Sequence, residues 1–120
     1  MCVKLIEEEL KKANYKVTLR GCIKGASGNT HFFDIVAQKD KRIICFDFAK
    51  KDLLEELVRE LIRALDLEHR AEICLIIDKK KAKEYEISAK KFKILQYTSE
   101  SDLLNQLRQI IYCDQYSRGY

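Results

Sequence analysis

One segment constrains the fold more than any other: a long amphipathic stretch that stands between two groups of β-rich segments. It begins at Asp52-Leu-Leu-Glu55, which has the form of a helix N-terminal capping box. The apolar residues that follow share one face of a helix, and they are Leu53, Leu54, Leu57, Val58, Leu61, Ile62 and Leu65. A helix between two strands of one sheet is a crossover connection, so those strands run parallel. The sequence therefore predicts an α/β protein with a mixed sheet.

The other segments complete the order α-β-β-β-α-β-(α)-β-α. Before the long helix we expect a helix over residues 2–14 and strands over 16–24, 31–38 and 42–49. After it we expect a strand over 71–77, a weaker helix over 79–91, a strand over 92–97, a helix over 99–112 and a loose tail over 113–120. Because 120 residues suit one domain and no linker interrupts them, we expect a single domain with its core over about 2–97.

Composition excludes several classes of protein. No apolar run approaches the ~20 residues of a membrane span, and the acidic start at Glu7 and Glu8 is unlike a secretory signal. The five cysteines are scattered without a C-x-x-C pair, which indicates neither a zinc knuckle nor a disulfide framework. We therefore expect a cytoplasmic protein without a membrane partner. The net charge of +4 permits a phosphate-bearing partner but falls short of a strongly basic nucleic-acid binder.

Two aspartates in apolar surroundings form the first candidate site. If Asp40 and Lys41 form the loop of a tight hairpin, the pairing register places Asp34 opposite Asp47. Like charges directly opposed on a sheet are destabilising, and a hard divalent cation such as Mg²⁺ or Mn²⁺ offsets them. The alternative is that both side chains point into solvent at a strand edge, or that a register shift of one residue separates them.

A third carboxylate is a candidate to join this pair. On a helical wheel of residues 2–14, Glu9 falls between Leu5 and Ala13, within the apolar face. We therefore expect Glu9 to point inward. The alternative is a position at the margin of that face, with the carboxylate in water.

The segments Gly25–Ala37 and Ile43–Ala49 resemble the PD-(D/E)XK nuclease superfamily, most closely its branch of archaeal Holliday-junction resolvases and Mrr-type restriction endonucleases. The resemblance implies a restriction-endonuclease-like, three-layer α/β/α fold with a mixed central sheet. It implies that Asp34 and Asp47 bind Mg²⁺ or Mn²⁺ for phosphodiester hydrolysis. It also implies DNA or structured nucleic acid as the partner, and a homodimer, since small relatives commonly act as dimers.

The sequence departs from this family at one position. Two residues after Asp47 the family carries a lysine that positions the attacking water and stabilises charge on the phosphate, and here that residue is Ala49. Lys50 should point to the other face of the strand, yet it is our first candidate for the missing role if the strand bulges or a side chain reaches across. The other candidates are Lys51, Lys24 and Gln38.

Further residues are candidates for contact with nucleic acid. They are Lys24, Ser27, His31 and Lys51, together with the lysine runs of residues 79–83 and 90–93. The alternatives are a flexible turn around Gly25 and Gly28 and a structural role for His31. For the lysines, the alternative is a solvated surface that contacts no nucleic acid.

Three hypotheses follow. The first is a nuclease-like protein that binds nucleic acid, with Mg²⁺-dependent hydrolysis of DNA if the role of the lysine is filled. The second, motivated by Ala49, is a catalytically degenerate nuclease-fold module that serves DNA binding or protein–protein interaction. The third is a structural dimer whose aspartates bind cations only adventitiously.

Overall fold

The structure, a computed structural model, describes residues 2–50, 52–68, 70–79 and 91–113. The helices are α1 (Cys2–Lys12), α2 (Leu53–Leu67) and α3 (Glu100–Arg108), the last continued by a π-helical turn over Gln109–Cys113. The strands are β1 (Lys16–Leu19), β2 (Cys22–Lys24), β3 (Thr30–Phe32), β4 (Ile35–Lys39), β5 (Arg42–Phe48), β6 (Glu72–Asp78) and β7 (Lys93–Tyr97). Most of the predicted helix over 79–91, the tail beyond residue 113 and Lys51 lie outside the described residues.

Five strands form one mixed sheet in the order β1-β4-β5-β6-β7. The pairs β1–β4 and β4–β5 are antiparallel, whereas β5–β6 and β6–β7 are parallel. The predicted α/β fold with a mixed sheet is therefore confirmed, with α2 as the crossover between β5 and β6. Within the described residues, no helix has both the length and the apolar character needed to cross a membrane.

Two of the predicted strands are each broken in the middle. The chain leaves the large sheet after Leu19, forms the separate β2–β3 hairpin, and returns at Ile35. Arg20 adopts a left-handed φ of 53°, and a Cβ at Gly21 would lie 2.8 Å from Cγ2 of Val36. The break therefore depends on a turn conformation and on a close approach that only glycine permits.

Buried side chains cover both faces of the sheet. On one face α1 and α3 pack over β4 to β7 through Ile6, Leu10, Leu103 and Leu107. On the other face α2 packs through Leu67, with Leu53, Leu57 and Ala64 partly buried beside it. Helices thus shield the sheet on both sides, as a partly parallel sheet requires.

The orientation of α2 is the main departure from the sequence-based prediction. An amphipathic helix normally turns its apolar face to the core. In this structure five of the seven predicted face residues are exposed, from 42% for Leu61 to 71% for Leu54, while Glu60 is fully buried. We call the exposed residues the α2 stripe, and they are Leu54, Val58, Leu61, Ile62 and Leu65. Only Leu53 and Leu57 of the predicted face pack against the sheet.

Candidate carboxylate site

The central feature of the site is the pair of aspartates at the end of the β4–β5 hairpin. The ladder pairs Val36 with Cys45 and Ile35 with Phe46, which is the predicted register. Asp34 lies one residue before β4, and its backbone N–H donates to Oδ1 of Asp47 at 2.9 Å. The backbone N–H of Phe48 in turn donates to Oδ2 of Asp34 at 2.9 Å. Each carboxylate is therefore fixed by a backbone donor of the opposing segment.

Two cationic side chains neutralise this pair. A guanidinium N–H of Arg63 donates to Oδ2 of Asp47, and Nζ of Lys50 lies 3.4 Å from Oδ1 of Asp34. The Arg63–Asp47 pair is mostly shielded from water, with 14% and 6% of the two side chains exposed. Lys50 is 64% exposed, so its interaction with Asp34 is screened. The repulsion expected between opposed aspartates is thus offset by cations of the protein itself.

Arg63 is held from several directions. It extends from α2 toward β5, and its guanidinium carbon lies 4.7 Å from the ring centroid of Phe33, within the range of a cation–π contact. Oε1 of Glu60, one turn earlier on α2, lies 3.5 Å from the same guanidinium. Because these partners come from three separate segments of the chain, the guanidinium has a fixed place beside Asp47.

Glu60 is the third carboxyl group of the site. It is fully buried, and its Oε2 has no hydrogen-bond partner in the part of the chain that the structure describes. Burial, followed by the neighbouring carboxylate of Asp47, raises the pKa of Glu60 to about 8. Glu60 is therefore mainly protonated at neutral pH. The charges that remain are two negative aspartates and two positive side chains, which balance.

The position of the missing lysine is filled by a partly buried Ala49 that packs beneath α2. Its backbone N–H donates to the carbonyl of Ile76 at 2.9 Å, so the pairing with β6 continues past the end of β5. The ammonium of Lys50 nevertheless lies 3.4 Å from Oδ1 of Asp34. Its ammonium thus lies near the aspartates although Ala49 occupies the family's lysine position.

Glu9 points inward as predicted but is not brought to the aspartates. It is buried and forms a two-pronged ion pair with Arg108 of α3, at 3.2 and 3.1 Å. The hydrogen bond from Arg108 lowers the pKa of Glu9 and outweighs the opposing effect of burial. Both residues belong to the helices on the face opposite α2, so the structure gives Glu9 a role in joining α1 to α3.

The loop around Gly25 and Gly28, which carries predicted nucleic-acid contacts, binds a carboxylate of the protein itself. The backbone N–H and the hydroxyl of Ser27 donate to the two carboxylate oxygens of Asp66 at 2.9 and 2.8 Å. Nε2 of His31 lies 2.5 Å from Oδ2 of the same residue. These bonds, led by the one to His31, lower the pKa of Asp66 to about 2. Of the predicted contact residues, Lys24 is exposed, whereas Ser27 and His31 are engaged by Asp66.

Three residues that complete these contacts escaped the sequence analysis, and all lie on α2: Glu60, Arg63 and Asp66. Their signal was a row of charged residues three apart within an otherwise apolar segment. On a helix such residues share a face. For this helix we considered only the apolar face and made no prediction for the charged row.

The arrangement does not form a ready-made magnesium centre. Across the described ranges, no three His, Cys, Asp or Glu residues are grouped so as to hold a metal ion. All four aspartate oxygens accept a hydrogen bond or an ion pair from the protein. A cation at Asp47 would have to displace Arg63. The Mg²⁺ or Mn²⁺ cofactor therefore stays a prediction.

No family model matches the sequence, and no match was found among curated proteins. Among solved structures, the chain is similar to the crystal structure of a protein of unknown function, AF1548, with a TM-score of 0.47 and 11% sequence identity. The similarity covers 86% of this chain and 51% of that protein, so the chain spans about half of its length.

Proposed function

We propose that this chain is a nucleic-acid-binding module built on the restriction-endonuclease-like fold of the PD-(D/E)XK superfamily. The observation that carries the proposal is the opposed pair Asp34 and Asp47, neutralised by Arg63 and Lys50. In the family, the acids at this position bind the metal ion used for phosphodiester hydrolysis. Here the acids remain, but protein cations balance their charge.

The arrangement of helices supports the fold assignment. A three-layer α/β/α fold requires helices on both faces of a mixed sheet, and α1 and α3 lie opposite α2. The acidic hairpin β4–β5 is followed directly by the crossover helix, as in the family. Fold alone does not fix function, so the proposal depends on the site.

The charge balance of the site supports binding to a phosphate backbone. Two unpaired aspartates would repel phosphate, whereas the balanced group does not. Lys50 extends from this group with 64% of its side chain exposed, and Lys24 is also exposed. With a net charge of +4 for the chain, we expect binding that weakens as salt rises, since phosphate contacts release counterions.

Binding without cleavage is the better-supported form of this function. Ala49 lacks the ammonium group of the family's lysine, and Arg63 occupies an oxygen of Asp47 that a metal would need. We therefore expect a degenerate site in which the acids hold α2 in place.

Metal-dependent hydrolysis of DNA is the second candidate, and one observation favours it. Oε2 of Glu60 is buried and has no hydrogen-bond partner among the described residues, and a cation entering beside Asp47 would satisfy it. This candidate requires Arg63 to leave Asp47 and Glu60 to lose its proton. Both requirements raise the cost of binding a metal.

Fluorescence anisotropy tests the binding function. Labelled duplex, four-way-junction and single-stranded DNA are titrated with the protein at low and moderate salt. We expect Lys50→Ala to weaken binding about three- to tenfold, since an exposed phosphate contact contributes on the order of 1 kcal/mol. The matched control is Lys11→Ala, which removes the same charge from the remote helix α1. Absence of binding to every substrate, or equal losses in the two variants, would refute the proposal.

A cleavage assay decides between the two candidates. The same substrates are incubated with Mg²⁺ or Mn²⁺, using the wild type, Ala49→Lys and the double variant Asp34→Asn/Asp47→Asn. Products from the wild type that disappear in the double variant would establish hydrolysis. We expect no products from the wild type, together with retained binding.

A further inference from the structure

The β2–β3 hairpin presents an exposed aromatic ring beside the carboxylate site. In its ladder Cys22 is paired with Phe32 and Lys24 with Thr30, and all four residues are exposed. Phe32 is 61% exposed, although phenylalanine is among the residue types most often buried, and the next residue, Phe33, is 2% exposed. We call the side of the hairpin that carries the four exposed residues its outer face.

The direction of the outer face is fixed by contacts on the opposite side of the hairpin. Ile23 packs against the core cluster that includes Leu67 of α2, and Nε2 of His31 lies 2.5 Å from Oδ2 of Asp66. Successive side chains of a strand point to opposite faces, so the anchoring of Ile23 and His31 directs Phe32 outward. The ring therefore cannot become buried unless the hairpin detaches from α2.

The charge around the outer face favours a phosphate-bearing partner. The sequence from residue 16 to residue 33 contains no Asp or Glu, although the chain has 19 of them. Lys16, Arg20 and Lys24 lie in this stretch, and all three are exposed. Within the described ranges, no ion pair joins any of them to a carboxylate. Their positive charges therefore remain available to the phosphates of a nucleic-acid strand.

We propose that the outer face of the β2–β3 hairpin binds an unpaired base of a nucleic-acid strand, which stacks on Phe32 while Lys24 binds a neighbouring phosphate. The proposal rests on the nucleic-acid-binding function and specifies the form of nucleic acid that the chain binds. Lys24 lies diagonally across the ladder from Phe32, at a separation of about 7 to 8 Å that a long side chain spans. An exposed aromatic ring beside free cations is the combination by which proteins bind unpaired bases and their backbone.

The place of the hairpin in the chain connects this contact to the carboxylate site. Phe32 comes two residues before Asp34, so at most about 7 Å separate their Cα atoms. The backbone N–H of Arg20 donates to the carbonyl of Asp34 at 2.8 Å, which ties the start of the hairpin to the same point. A strand whose base stacks on Phe32 therefore lies next to the carboxylate site. The bases of a continuous duplex are stacked on one another and cannot lie on the ring, so we expect tighter binding to single strands.

The fluorescence of an introduced tryptophan tests the stacking directly. The chain has no tryptophan, so Phe32→Trp supplies a single reporter in place of the ring. We expect its emission to fall on titration with single-stranded DNA, and to change far less with an abasic strand of the same length, which keeps the phosphates and lacks the bases. The matched control is Leu54→Trp, which puts the reporter at a 71% exposed position on α2 and should not be quenched. Absence of quenching in Phe32→Trp, or equal quenching by the abasic strand, would overturn the proposal.

Fluorescence anisotropy measures the contribution of the ring to affinity. Phe32→Ala should weaken binding of a single-stranded oligonucleotide about tenfold, which is within the range for the loss of one stacked base, and Phe32→Tyr should keep it within about twofold. Binding of a blunt duplex of the same length should change less than about twofold in both variants. Because Phe32 is exposed, both variants should keep the circular dichroism spectrum of the wild type. Equal losses for the two substrates would show a contact that involves no base and would overturn the proposal.

The outcomes separate this inference from the proposed function. Binding to duplex and single-stranded DNA alike, with no effect of Phe32→Ala, would overturn the stacking contact and leave the nucleic-acid-binding function in place. The absence of binding to every nucleic acid would overturn both. Quenching of Phe32→Trp by the single strand, together with the tenfold loss in Phe32→Ala, would support both.

Discussion

At the scale of single residues, Arg63 organises the buried charges of the site. It binds Asp47, approaches Glu60 and lies over the ring of Phe33. Charged groups removed from water are costly unless they are paired. The loss of this one cation should therefore lower the free energy of unfolding more than the loss of a more exposed ion pair on the same helix.

The first residue-scale prediction compares two arginines of α2. Arg63→Met leaves Asp47 shielded and unpaired, so the free energy of unfolding should fall by about 3 kcal/mol. Arg59→Met removes a pair with Glu56 in which the arginine is half exposed, so the free energy of unfolding should fall by less, about 1 kcal/mol. Urea unfolding of both variants measures the difference. Similar losses would mean that Arg63 is not the organising charge.

The second residue-scale prediction concerns the pH dependence of stability. The pKa of Glu60 is raised from 4.5 to about 8 in the folded protein. The folded state therefore holds a proton that the unfolded state releases, and its stabilising contribution is lost as pH rises from 4.5 through about 8. In Glu60→Gln this loss is absent, so the variant should gain stability relative to the wild type as pH rises. Urea midpoints measured across this range test it, and parallel pH profiles would contradict it.

At the scale of elements, the β2–β3 hairpin is joined to the end of α2 by Asp66. Beyond the bonds to Ser27 and His31, the backbone N–H of Ala26 donates to the carbonyl of Asp66 at 2.8 Å. The loop that the sequence marked as irregular is thus ordered by a helix more than 30 residues away in the chain. This contact fixes how the hairpin lies beside the sheet.

The prediction at this scale is an acid-sensitive attachment of the hairpin. The pKa of Asp66 is lowered from 3.8 to about 2, so its contribution is complete above pH 3.8 and is lost as pH falls toward 2. Asp66→Asn should remove that part of the acid dependence. Hydrogen exchange of the amide of Ser27, which donates to the carboxylate, should also become faster in the variant at neutral pH. An unchanged acid profile together with unchanged exchange would contradict the attachment.

The same elements explain what the sequence could and could not predict. The register of Asp34 and Asp47 followed from a tight turn only a few residues away, which is local information. The orientation of α2 did not follow, because apolar periodicity identifies residues that share a face but not the surface that the face meets. The inward position of Arg63 depends on Asp47, a residue on another element. The break after Leu19 depends on the approach of Gly21 to Val36, which also joins separate elements.

At the scale of the whole molecule, α2 connects the carboxylate site to the exposed α2 stripe. Its inner side carries Arg63, and its outer side carries the stripe. Because Arg63 fixes the orientation of the helix, the loss of its ion pair with Asp47 should loosen the whole of α2, even though no residue of the stripe changes.

The prediction at this scale is measured by hydrogen exchange of the backbone amides of α2. Arg63→Met should speed this exchange about tenfold, because the shielded pair with Asp47 is lost. Arg59→Met should change it by about twofold, because Arg59 is half exposed. Equal exchange rates in the two variants would show that Arg63 does not hold the helix in place.

One glycine offers a steric means of opening the loop without altering any charge. A Cβ at Gly25 would lie 2.0 Å from Oδ2 of Asp66, so a single methyl group there acts as a wedge between the loop and the helix. In Gly25→Ala the carboxylate of Asp66 would have to move away, and the amide and hydroxyl of Ser27 would lose it as an acceptor. The addition of one carbon atom is thus enough to detach the loop from the helix.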